Sequence, residues 1–505
     1  MSRRSPTPLA SPLAVRIAAA IAVAIAATAL TSCADGGGIA RKVTTTTRAT
    51  ATTTTTTAPA VVAATAGAAD LADAITPGAG NGGYDVAHYD LSFDVNDART
   101  SIDAVTTITA TATQDLSSFD LDLRGLDVST VTVDDTPATF TRTGDELVVT
   151  PKRPLARTST FVTKVSYSGS PQPVPDPSAP GTIGWLSAPS GIFVASEPVG
   201  AKGFYPCNDH PSDKATFTIS VTAADADTVA ANGLMTKKAA ATAGHTRWTF
   251  DQTTPMATYL VQIAVGDYDV ITSTGPHGLT RRDVVVRSIP AEQRKVLGDT
   301  DEQITFFESL FGPFPFDVYG VLVADADPSF ALETQTLTLI PSAWLSDNPA
   351  QTSAVMAHEL AHEWFGDAVS VARWGDIWLN EGFATYAEWL WNDHTGDSTL
   401  DASVRQAMQQ AQSWRSGFGA VLDPQPRFLF ASNVYGGAAV VLQALRKTVG
   451  DDVFFSILRT WVTERSGTSA TTADFQALAS KLAGTDLTGF FDAWLRSTTL
   501  PPMPG

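Results

Sequence analysis

Two histidines and several acids stand close together in the stretch Val355–Trp391, VMAHELAHEWFGDAVSVARWGDIWLNEGFATYAEWLW. On a helix, His358 and His362 lie one turn apart on the same face, so both imidazoles can reach one metal ion. Glu359 projects about 100° round the axis from His358. That places it beside an ion rather than at it, where a carboxylate can take a proton from an attacking water. HELAH matches the H-E-x-x-H pattern by which a helix presents two imidazoles to zinc. Catalytic zinc takes three protein ligands and leaves a fourth position open. Glu381 in WLNEG is the candidate for the third, because the eighteen residues between it and His362 let the chain turn and lay a second helix alongside. The competing reading is a pair of buried helices that merely contain polar residues. Ala357, Leu360, Ala361, Trp364 and Phe365 make the helix apolar, and an unpartnered polar pair sealed into such a helix is costly. The sequence therefore predicts one Zn2+ per chain.

Ligands of this kind need a packed scaffold, and 505 residues with 44% hydrophobic content suffice for two or three domains. Between Tyr84 and about Tyr268, short alternating runs rich in Thr, Val and Ile read as strands: YDVAHYDLSFDV, AVTTITATATQ, ATFTISVTA and TYLVQIAVGDYDV. They predict an all-β N-terminal domain over residues 81–270. Over residues 271–505 the pattern is α+β and mostly helical. RRDVVVRSIP, VYGVLVADAD and LETQTLTLIP read as strands. AEQRKVLGDTDEQITFFESLFG reads as a helix closed by Gly312, and helices dominate after Gln351.

The beginning of the chain is different. Arg3, Arg4 and Arg16 precede an uncharged run, Ile17–Leu30, which is short of the ~20 residues that span a bilayer and fits a signal-peptide core. LTSC, Leu30–Cys33, resembles the bacterial lipobox. Residues 1–32 are thus expected to be a lipoprotein signal peptide, with Cys33 lipidated and in contact with the membrane. Residues 33–80, rich in Thr and Ala and without apolar period, are expected to be a disordered tether. The mature protein is accordingly placed outside the cytoplasm, lipid-anchored to the bacterial cell membrane. The only other cysteine is Cys207, so no disulfide framework supports the fold. A net charge of -19 excludes a nucleic-acid-binding face and weakly favours cationic partners such as peptides with free amino termini.

Beyond the zinc motif, three segments are similar to blocks of the M1 family of zinc aminopeptidases, the gluzincins: SEPVGAKGFYPCNDHPSDKATFTISV, MATYLVQIAVGDY and FGPFPFDVYGVLVAD. The resemblance runs from about Tyr84 to Leu495. It implies a saddle-like β domain, then a thermolysin-like catalytic domain, in a short form without the further C-terminal domains of long members. It also implies zinc ligands at His358, His362 and Glu381 and a general base at Glu359. The family's exopeptidase motif G-x-M-E-N falls on Phe330, Ala331, Leu332, Glu333 and Thr334. Glu333 would then bind the substrate's free amino group, Glu197 would be the second amine anchor, and Tyr435 would stabilise the transition state. The implied activity is removal of N-terminal residues from peptides. Asp376 and Glu388 are candidates to orient the histidines from behind, and Cys207 is expected to be a buried free thiol.

Three departures from the family pattern bear on affinity and specificity rather than on the metal set. Phe330 stands in place of Gly, Thr334 in place of Asn, and Gly437 and Ala438 where a cation and then Gly are usual. Two other readings stay open at this point: a thermolysin-like endopeptidase, and an inactive metal-holding surface lipoprotein.

Overall fold

The computed structural model describes residues 63–505, apart from residues 180, 326–329 and 346–347. The expected signal peptide, Cys33 and the tether as far as residue 62 lie outside the described residues. The architecture is a β-rich N-terminal region followed by a helical C-terminal region.

Alternation builds the first region. In Ile102–Ala112 every second residue is buried, the period of two that turns one face of a strand to a core. This strand pairs antiparallel with Tyr84–Val95 on one side and Thr160–Gly169 on the other. They are the centre of an eight-stranded sheet running Leu234–Ala240, His245–Met256, Ala215–Ala224, Tyr84–Val95, Ile102–Ala112, Thr160–Gly169, Asp127–Val133, Thr136–Pro137. A four-stranded sheet, ordered Gly184–Ala188, Gly191–Ala195, Ile263–Gly266 and Thr228–Ala231, lies next to the catalytic region in sequence and carries fully apolar strands.

Residues 63–80, expected to be the end of the tether, are instead built into the fold. Thr65–Ala66 pairs in parallel with the strand Leu116–Asp122. Asp73 accepts a hydrogen bond from the Trp374 N–H (2.8 Å) and lies 3.3 Å from Nε2 of His210. A short polar side chain that satisfies buried donors leaves no apolar period, which is why composition alone misses this docking.

In the second region Tyr268–Thr274, Thr280–Val286, Val321–Ala324 and Thr338–Pro341 form a sheet, with Val318–Tyr319 added to Thr280–Val286. Seven longer helices follow one another among the described residues: α1 (Thr300–Phe311), α2 (Pro349–His362), α3 (Trp378–Thr395), α4 (Leu400–Phe418), α5 (Gly436–Val449), α6 (Asp451–Arg465) and α7 (Thr472–Ala483), before a single short turn of helix at Thr488–Phe491. The expected helix over 291–312 is α-helical only from Thr300. Its first half, Gln293–Asp299, is a 3-10 turn. The run LETQTLTLIP forms a strand only at Thr338–Pro341. Before it the chain turns sharply, with Thr336 at φ 66° and the Thr334 hydroxyl donating to Leu337 O.

The packing that matters for the site is that of α2, α3 and α5. Gly382 of α3 is required there, because a Cβ at this position would stand 2.5 Å from Cβ of Ala438 on α5. The close approach puts the residue before Gly382, Glu381, and the residue before α5, Tyr435, at one centre. Trp364, Trp374 and Trp378 are fully buried around these helices, so the ligand-bearing backbone sits in close-packed surroundings.

Candidate active site

α2 delivers two imidazoles and α3 one carboxylate to a single point. Glu381 Oε2 lies 3.3 Å from Nε2 of His358 and 3.6 Å from Nε2 of His362, and one donor atom of each lies within 4.8 Å of the others. The remaining ring nitrogens face partners of their own. Nδ1 of His362 lies 3.1 Å from Phe365 O, and Nδ1 of His358 lies 3.5 Å from Glu388 Oε2. Those contacts fix each ring so that Nε2 points to the common centre. Glu388 therefore stands behind His358 as expected. Asp376 does not orient a histidine: it is occupied by Arg373 and by the Thr472 hydroxyl.

The electrostatics call for a cation. Burial alone opposes a charged His358, yet its contacts with Glu381 and Glu388 hold its pKa well above the ordinary value. Glu381 is drawn down to about 2; burial opposes this, and the two imidazoles outweigh it. Two imidazole nitrogens and a carboxylate oxygen converging in a buried place fit zinc, with one position left for a reactant. Glu359, on the same helix, is pushed up to about 8 by burial, against the pull of both histidines.

The amine anchors come from elsewhere in the chain. Glu197 follows the strand Gly191–Ala195, and Glu333 lies in the turn ahead of Thr338–Pro341. Both are buried, and each has a carboxylate oxygen, Oε1, without a hydrogen-bond partner. Burial raises both pKa values, and Glu333 is the largest charge acting on Glu197. Two buried, mutually repelling carboxylates with free oxygens are a receptor for a cation. Glu333 is close to the metal set as well, since donors of Glu333, Glu359 and His362 also fall within 4.8 Å of one another. Tyr435 closes the other side, its ring stacked on that of His358 at 6.0 Å between centroids and 17° between planes. Burial, followed by the Glu381 charge, keeps its hydroxyl protonated far above neutral pH, so it can only offer a proton to a developing anion. His358, His362, Glu381, Glu359, Glu333, Glu197 and Tyr435 are all buried or partly buried and act on one another electrostatically around the metal set, whereas Asp376 stands apart.

The comparisons with known proteins agree with this geometry. The profile of the Peptidase family M1 domain matches residues 296–494, and that of the Peptidase M1 N-terminal domain matches residues 86–260. The crystal structure of an M1 zinc metallopeptidase from Deinococcus radiodurans is 34% identical, with a TM-score of 0.79 over 86% of this chain and 99% of that one. The chain belongs to peptidase family M1. A mutant of the same Deinococcus M1 peptidase has been crystallised bound to a Tyr-Ser-Ala substrate, and this chain is 33% identical to it. Among curated M1 relatives, Aminopeptidase 2 of Candida albicans is 27% identical over 60% of this chain and 35% of its own length. A probable aminopeptidase 2 of Sulfurisphaera tokodaii is 28% identical over 64% of this chain and 44% of its own. The chain thus spans less than half the length of these two relatives.

Sequence reasoning missed several residues that hold this M1 site. Glu363, next to His362, accepts from the Thr336 N–H at 2.9 Å and so ties the Glu333 turn to α2. Lys214 donates through Nζ to Asp367 O (2.5 Å) and Ala368 O (3.2 Å), in the turn that follows α2. Both act through contacts between residues distant in the chain, for which no local pattern exists.

Proposed function

We propose that the protein is a zinc-dependent aminopeptidase that removes N-terminal residues from peptides. The observation that carries this reading is the closeness of one amine anchor, Glu333, to the metal ligand His362. Donors of Glu333 and His362 lie within 4.8 Å of one another, whereas a free amino nitrogen is about 2.5 Å from its own carbonyl carbon. One residue fits between anchor and metal set, so cleavage is counted from the amino end.

A zinc ion held by His358, His362 and Glu381 would supply Lewis acidity to the first peptide carbonyl and to the attacking water. Glu197 and Glu333 receive the ammonium through charge-assisted hydrogen bonds. Glu359 takes the proton from water and passes it to the departing amine, a role for which a carboxyl already raised towards neutrality is suited. Tyr435 donates its hydroxyl proton in a hydrogen bond to the oxygen that gains charge. The Tyr-Ser-Ala complex of the Deinococcus relative supports peptides as the substrate class.

Digestion of a peptide library followed by mass spectrometry, with and without chelator, tests the reading. Successive loss of residues from free amino ends, abolished by chelator, is expected; cleavage inside blocked peptides would favour an endopeptidase. Glu333 and Glu197, buried with free oxygens, argue against that alternative and against an inactive metal-holding protein.

We also infer that the mature chain is anchored outside the cytoplasm through lipidated Cys33. The signal-like run Ile17–Leu30 and the lipobox-like LTSC support this. Labelling with a radioactive fatty acid tests it: Cys33→Ser is expected to abolish incorporation, and label retained in that variant would overturn it.

A further inference from the structure

Glu197 and Glu333 stand on separate segments, so contacts between those segments must set their spacing. The strand Gly191–Ala195 pairs with Ile263–Gly266 through two residue pairs, Gly191 with Gly266 and Ile192 with Val265. Past Ile192 a side chain takes over from the main chain on this edge, while the other edge stays paired with Gly184–Ala188. Gln262 is fully buried. Its Oε1 accepts from the Val194 N–H at 3.0 Å, and its Nε2 donates to Val194 O at 2.8 Å and to Thr334 Oγ1 at 3.2 Å. The Thr334 hydroxyl gives its own proton to Leu337 O, which leaves its lone pairs for Gln262. The Gln262 main-chain N–H donates to Asn232 Oδ1, and Asn232 Nδ2 donates in turn to Gln335 O at 2.6 Å. One residue thus holds the backbone three positions before Glu197 and the side chain next to Glu333.

We propose that Gln262 is a positioning residue for amine recognition. Through its single amide it fixes the separation of the two carboxylates that receive the substrate's ammonium. The proposal rests on the aminopeptidase reading above. A neutral amide suits this role because it spends both N–H groups and one lone pair on fixed partners without adding charge to a cation receptor. A merely structural amide would be needed for folding but would leave amine affinity untouched in whatever protein folds.

The test uses the full chain with zinc content measured, on amino-acyl anilides and their N-acetylated counterparts. Gln262→Met keeps volume and removes the three hydrogen bonds; loss of a buried pairing of this kind is expected to raise KM about tenfold while kcat stays within about threefold. Discrimination between free and acetylated substrates should fall in parallel. Thr334→Val, which cuts the link to Gln262 together with the hydroxyl's bond to Leu337 O and spares Val194, should move KM the same way. Thr334→Ser, which keeps the hydroxyl, should behave as wild type. The Gln262→Met, Thr334→Val pair should fall short of the sum of the two single effects, because both remove the Gln262–Thr334 bond. Unchanged KM and discrimination in folded, zinc-loaded Gln262→Met, or a fall in kcat that only tracks the folded fraction, would overturn the proposal. If Gln262→Met does not fold, Thr334→Val decides by the same criteria. Wild type that fails to distinguish free from acetylated substrates defeats the aminopeptidase reading. Wild type and variants that discriminate equally defeat the brace alone.

Discussion

The two halves of the site are built by opposite means. The metal half is local and regular: two histidines one turn apart on α2, one acid in the first turn of α3, and helices pressed together at Gly382 and Ala438. The amine half is assembled from the end of a strand in the β region and a sharp turn in the catalytic region, more than 130 residues apart in sequence. Each segment has main-chain pairing of its own, but the tie between them runs through the side chains of Gln262 and Asn232. The first half therefore resists perturbation as part of a close-packed core, while the second depends on individual hydrogen bonds. Metal chemistry and amine recognition should fail separately when each is damaged.

The sharpest separation lies in the zinc set. Removing zinc by chelation should abolish turnover on every substrate, and adding zinc back should restore wild type but not His362→Ala. Glu359→Gln should keep its metal, measured by elemental analysis, and lose activity about 10²–10⁴-fold, the span of general-base catalysis. Tyr435→Phe should lower kcat about a hundredfold or more with KM little changed, since its hydrogen bond forms to charge that appears only in the transition state. On the amine side, Glu333→Gln should retain zinc and raise KM about ten- to a hundredfold for free-amine substrates, the worth of a charge-assisted hydrogen bond. Acetylated substrates, hydrolysed poorly to begin with, should be unaffected. A Glu333→Gln variant that loses zinc would break the distinction between the halves.

How much of this was visible in the sequence follows the same line. The α2 ligands have a spacing that only a helix makes useful, so His358, His362 and Glu359 could be assigned from residue type and period alone. Glu381 required only the expectation of a third ligand on a neighbouring helix. Glu197, Glu333 and Tyr435 carry no period and could be singled out only by resemblance to a family. Lys214 and Gln262 fall inside family-like blocks, yet their roles, like that of Glu363, were not legible, because their partners are distant in the chain and no local pattern names them. The same holds for residues 63–80, whose docking rests on Asp73 and main-chain contacts that composition does not register, and for the LETQTLTLIP run, where the demands of the Thr334–Leu337 turn override β propensity.

The smallest expected effect concerns the tie between the two regions. Lys214 reaches from the β region to the turn after α2, and burial lowers its pKa to about 7. Between pH of about 7 and its ordinary value of 10.5, the unfolded chain binds a proton at Lys214 that the folded chain does not, so stability contributed here rises with pH. Denaturant midpoints at pH 7 and pH 9.5 should show a gain for wild type that is reduced in Lys214→Met.

The most direct measurement is the rate of the purified, zinc-loaded protein on one amino-acyl anilide, free and N-acetylated. A receptor of two buried carboxylates one residue from the metal ligands requires strong preference for the free amine, about a hundredfold or more in kcat/KM, with both activities lost to chelator. Equal rates on the two substrates would contradict it.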